Sequence, residues 1–110
     1  MDGVVVVDKP QGISSHDAVQ RLRKLLNVKR VGHLGTLDPL ATGVLPLVVG
    51  KATRLSQFFL HHDRAYETEI RVGFATSSYD SDGEPLGEAQ AVVLEREAVV
   101  QGARAISRAF

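Results

Sequence analysis

The chain has no cysteine. Disulfides and thiolate metal sites are therefore excluded, and the redox compartment cannot be read from thiol usage. Long apolar runs are missing as well. The strongest near the start is Val4-Val5-Val6-Val7, far too short for a signal-peptide core or a membrane span. A cytoplasmic protein with no membrane partner is expected. There is no internal repeat, linker or low-complexity stretch. Excess charge is absent too: the net charge is zero. What remains is ordinary for a soluble domain, with 44% apolar and 24% charged residues in 110, enough for one modest core.

Zero net charge hides an asymmetry. Residues 1–60 carry eight Lys/Arg and four acids, a net of +4. Residues 61–110 carry five basic and nine acidic residues, a net of −4. Such a division fits a basic face for a polyanion, and equally fits charges spread over solvated faces.

The order of elements points to an α+β fold: a mixed, mainly antiparallel sheet flanked by helices. Strands are predicted at 3–8, 44–49, 66–74 and 86–93 from β-branched or alternating runs. Pro46 suits an edge strand or a strand start. Ser14 or Ser15 can cap a first helix, with Asp17 in its first turn. That helix turns Val19, Leu22, Leu25 and Leu26 inward and Arg21, Arg23 and Lys24 outward. Gly32 to Gly43 reads as a loop, with three glycines and Pro39. Residues 52–60 look helical, with Leu55, Phe58 and Phe59 inward. Asp80-Ser81-Asp82-Gly83 is a turn. Residues 95–108 form an amphipathic helix with Leu94, Ala98, Val99, Ala103, Ile106 and Phe110 inward. This last helix meets no stop signal, so a truncated domain is expected, with a sheet edge or apolar face left uncovered.

The chemistry concentrates in Gly32-His33-Leu34-Gly35-Thr36-Leu37-Asp38-Pro39-Leu40-Ala41-Thr42-Gly43. One carboxylate sits in a Gly-rich loop stiffened by Pro39. Such a carboxylate can act as a nucleophile, as a general base, or as a cap for its own turn. His61-His62-Asp63 carries metal-ligating residue types. Adjacent histidines point to different sides, however, and no third ligand follows at useful spacing.

This string resembles the signature loop of the TruB family of pseudouridine synthases, with its Leu-Asp-Pro-Leu-Ala-Thr-Gly core. Asp8-Lys9-Pro10-Gln11-Gly12-Ile13-Ser14-Ser15-His16-Asp17 is similar to the family's lysine-proline motif. The stretch from Tyr66 to Asp80-Ser81-Asp82-Gly83 resembles its tyrosine strand and acidic turn. The form of the loop is closer to the bacterial branch than to the guide-RNA-dependent one. Synthases acting on ribosomal RNA carry Arg-Leu-Asp followed by Ser/Thr-Gly, which Thr36-Leu37-Asp38-Pro39 fits less well.

The resemblance implies the N-terminal portion of a pseudouridine synthase catalytic domain over 1–110, without a C-terminal RNA-binding domain. It implies tRNA, through its T-arm, as the partner, and a monomeric intact enzyme needing no cofactor and no metal. Asp38 matches the essential aspartate and Tyr66 the active-site tyrosine. His33 matches a histidine that helps extrude the target base. Arg30, Lys51 and Arg54 are candidate phosphate contacts. Lys9, Pro10, Gly35, Leu37 and Gly43 are supporting residues. Asp80 matches an acid whose arginine partner lies beyond residue 110. A remnant that binds RNA without catalysis, or a synthase acting on another RNA, is the alternative.

Overall fold

The computed structural model describes residues 1–59 and 61–109. They fall into two compact units, Met1–Ala65 and Tyr66–Phe110.

In the first unit, strand β1 (Gly3–Lys9) is followed by helix α1 (Ser15–Leu26), strand β2 (Val31–His33) and strand β3 (Gly43–Val49). The sheet is antiparallel in the order β1-β3-β2. Register places Val5 opposite Leu47 and Val7 opposite Leu45, so β1 and β3 present these residues on one face. That face joins Val31, Val49, Ala18 and Val19 in the core, with Ile13, Leu22, Leu26, Val28 and Leu37 packed against it. The opposite face leaves Val4, Val6 and Val44 exposed.

Helix α1 starts where the sequence can hold it. Ser14 is extended, its hydroxyl accepts from the Asp17 N–H at 3.0 Å, and the Asp17 carboxylate accepts from the Ser14 N–H at 2.9 Å. This reciprocal box satisfies two helix-end donors. Asn27 ends the helix in the left-handed conformation, at φ 52°.

Several expectations are corrected. Leu25 is not inward but 81% exposed. Val19, Leu22 and Leu26 stand at i, i+3 and i+7. The i+4 place on that stripe belongs to Arg23, which is half-buried and donates from Nη2 to the Val31 carbonyl at 3.2 Å. The predicted loop over 32–43 begins one element late, because Val31–His33 pairs with β3. Pro46 lies in the central strand rather than at an edge or strand start. Its carbonyl accepts from the Leu34 N–H at 2.9 Å, yet it has no N–H to return, so the β2 ladder stops at His33.

The helix expected at 52–60 is a 3₁₀ helix, Gly50–Phe58. Its period of about three residues per turn stacks Thr53, Ser56 and Phe59 on one half-buried ridge. Leu55 and Phe58 stand on the next ridge and are exposed, contrary to expectation. Leu60 lies outside the described residues.

In the second unit the strands expected at 66–74 and 86–93 are absent among the described residues. A single antiparallel bridge, Thr76 to Pro85, remains. The Leu86 N–H reaches the Ala75 carbonyl at 2.8 Å, and the Gln90 N–H reaches that of Gly73 at 2.7 Å. Both segments thus return antiparallel without forming a ladder. Ile70, Val72, Leu86 and Val92 are exposed, and a two-stranded ribbon with no covered apolar face is marginal. Helix α2 (Arg96–Ala109) forms as the pattern predicts, but Val99 and Ile106 on its apolar stripe are exposed. Phe110, expected inward, lies outside the described residues.

Candidate active site

Asp38 is exposed, on the loop joining β2 to β3. Its backbone is held on both sides. Before it, Leu37 exchanges two hydrogen bonds with one side chain: the Leu37 N–H donates to Ser15 Oγ at 2.8 Å, and Ser15 Oγ donates to the Leu37 carbonyl at 3.1 Å. After it, the Pro39 carbonyl accepts from the Gly12 N–H at 2.7 Å and from Lys9 Nζ at 3.3 Å. The Asp38 carbonyl itself closes a tight turn by accepting from the Ala41 N–H at 2.9 Å.

Lys9 is 1% exposed at the end of β1. Its ammonium also donates to the carbonyls of Ile13 at 2.7 Å and Pro10 at 3.0 Å. A lysine so deeply placed must find acceptors. These three belong to the Pro10–Ile13 turn and the Asp38 loop, so one side chain ties the two segments together.

His33 ends β2, and its Nδ1–H donates to the Gly35 carbonyl. This bond fixes the ring and leaves Nε2 as its outer nitrogen. Gly35 has φ +124°, a conformation that side-chain-bearing residues rarely adopt, so the position favours glycine. Gly43, at φ +133°, makes the entry to β3. Arg30 donates from Nε to Thr53 Oγ1 at 2.7 Å, which turns it toward the 3₁₀ helix. Lys51 and Arg54 are exposed on that helix. The first unit therefore holds Lys9, Pro10 and Leu37 around the Asp38 loop, while His33 and Gly35 stand at its start and Gly43 at its end.

Tyr66 and Asp80 belong to the second unit. Tyr66 is 64% exposed. The Asp80 carboxylate accepts from the Ser81 N–H at 2.7 Å, and its carbonyl accepts from Thr76 Oγ1 at 2.7 Å, so Asp80 organises its own turn. Among the described residues no three His, Asp or Glu side chains converge on a metal-sized site.

Ser15 is the residue that sequence reasoning saw only as an alternative helix cap. The signal was present. Asp17 follows Ser14 by three positions, the spacing of a capping box, which assigns the cap to Ser14 and leaves Ser15 for another task.

Residues 23–107 match the family model described as TruB family pseudouridylate synthase (N terminal domain). The chain belongs to the TruB family. Among its curated relatives, the tRNA pseudouridine synthase B of Solibacter usitatus (strain Ellin6076) is 56% identical over 97 residues, covering 88% of this chain and 33% of that protein. The tRNA pseudouridine synthase B of Thermobifida fusca (strain YX) is 50% identical over 106 residues, covering 96% of this chain and 36% of its own length. The chain thus spans about a third of the length of these TruB relatives. Among solved structures, one described as "Structure of H/ACA RNP bound to a substrate RNA containing 2'-deoxyuridine" aligns with a TM-score of 0.50 at 50% identity. It covers 51% of this chain and 18% of that one.

Proposed function

We propose that this chain carries the nucleophile of a tRNA pseudouridine synthase, which isomerises a T-loop uridine to pseudouridine. The observation that carries the reading is the Asp38 loop, an exposed carboxylate on a backbone held at both neighbouring residues. Membership of the TruB family and the names of the curated relatives support the same activity.

The reaction breaks the bond between uracil N1 and ribose C1′, turns the base, and joins C5 to C1′. The C5 hydrogen leaves as a proton, and the freed N1 takes one up. Reactant and product are isomers, so nothing is oxidised or reduced and no water is consumed. A carboxylate suits the step because it can add, at ribose C1′ or uracil C6, and later leave, or can assist formation of a glycal.

A uridine stacked within a folded RNA is out of reach of Asp38. It must be extruded into the site, at a cost of a few kcal/mol in lost stacking. His33, at the end of β2 and held at Nδ1 by the Gly35 carbonyl, is the group assigned to that task. The Tyr66 ring offers a stacking surface, and its hydroxyl takes part in moving the C5 proton. Lys51, Arg54 and Arg30 supply phosphate contacts.

The test is tritium release from C5 of a T-arm RNA by the complete protein. Wild-type protein is expected to release tritium in step with pseudouridine formation. Tyr66→Phe keeps the ring and is expected to slow the reaction severely. Normal turnover in Tyr66→Phe would restrict that side chain to stacking. No release by wild-type protein would refute the activity.

A further inference from the structure

Two polar side chains are buried among the described residues, Lys9 and Ser15. Lys9 meets carbonyls in two segments, as its charge requires. The buried Ser15 hydroxyl also needs a partner, but a helical serine can find one in its own backbone. Ser15 opens α1, where the capping role is already taken by Ser14 in its box with Asp17. Its hydroxyl instead crosses 22 positions in sequence to Leu37.

The contact is unusual in what it satisfies. One hydroxyl both accepts from the Leu37 N–H and donates to the Leu37 carbonyl. It fills the place that a paired strand residue would occupy. Leu37 is half-buried and packs against the core, so its backbone groups need partners there. The residue that follows is Asp38. On its far side the Pro39 carbonyl is held by Gly12, which leaves the carriage of Asp38 referred to two fixed points, the start of α1 and the turn after β1.

We infer that Ser15 is a positioning residue for the Asp38 carboxylate. This rests on the reading of Asp38 as the nucleophile. At 2% exposure Ser15 does not touch the RNA. It acts through the Leu37 peptide, holding the loop so that the carboxylate meets the sugar or base at reacting distance. A nucleophile displaced by about 1 Å forfeits rate on the order of a hundredfold, even when substrate binding is intact.

The experiment uses the complete protein, with T-arm RNA and enzyme in excess, so that one turnover is followed. At saturating enzyme its rate constant reports geometry, circular dichroism and urea unfolding report the folded fraction, and a separate titration reports RNA affinity. Ser15→Ala is expected to lower the rate constant by about tenfold to a hundredfold, with affinity unchanged. Should Ser15→Ala fail to fold, Ser15→Cys takes its place, since a thiol keeps the size while donating and accepting only weakly. A variant that loses stability but keeps the wild-type rate constant would overturn the inference, because Ser15 would then serve stability alone. Asp38→Asn run in parallel separates the two claims. An inactive Asp38→Asn beside Ser15 variants of normal rate would sink only the positioning role. An active Asp38→Asn would sink the nucleophile reading itself.

Discussion

Replacing Lys9 by Met and by Ala separates what its ammonium does from what its stem does. The ammonium donates to the carbonyls of Pro10, Ile13 and Pro39. Without it the Pro39 carbonyl keeps the Gly12 N–H. Pro10 is an exposed residue, so water can replace the lost donor at its carbonyl. Ile13 is half-buried, and its carbonyl is the one left stranded. A stranded acceptor costs about 1–3 kcal/mol. Relief of the desolvated ammonium works in the opposite direction. The net cost of Lys9→Met is therefore placed at the low end, about 1 kcal/mol. Lys9→Ala also removes three buried stem carbons, at about 0.8 kcal/mol each, for a total near 3 kcal/mol. Urea unfolding at constant m-value reads both numbers. A Met variant as damaged as the Ala variant would refute this division, since the buried stem would then contribute nothing.

The Asp17 carboxyl is held below its ordinary value by the Ser14 backbone N–H, then by the Ser14 hydroxyl. Because its folded value is depressed, its contribution to α1 is present above the ordinary carboxylate range and is lost as pH falls through the folded value. Asp17→Asn should flatten that acid limb in pH-dependent unfolding, and an unchanged limb would contradict it. Neutralising Lys51 or Arg54 as Gln should lower the logarithmic salt slope of RNA binding by about 0.7 to 0.9 per residue. An unaltered slope would remove that residue from the phosphate contacts.

The first unit was legible where one period acted alone. The β-branched run of β1 and the capped, periodic α1 were readable because burial and local signals agreed there. β2 was missed because three residues, Val31-Gly32-His33, carry no period of their own and pair only because β3 runs beside them. Pro46 misled for a similar reason. A proline is costly in a central strand where its missing donor faces a partner, and here that position falls at the very end of the β2 ladder, which stops at His33. Tyr66 to Phe74 alternates like a strand, but alternation needs an apolar surface to cover it, and Ile70 is exposed. At the site, the Asp38 string stood out by composition. The Ser15–Leu37 contact did not, because residues 22 positions apart leave no mark in sequence spacing.

The central claim is tested most directly at Asp38. Asp38→Asn keeps the size of the side chain and most of its hydrogen bonding, and removes the charge that covalent attack requires. In the complete protein, tritium release from C5 of a T-arm RNA should disappear while RNA affinity is retained. Release at the wild-type rate by Asp38→Asn would contradict the account outright.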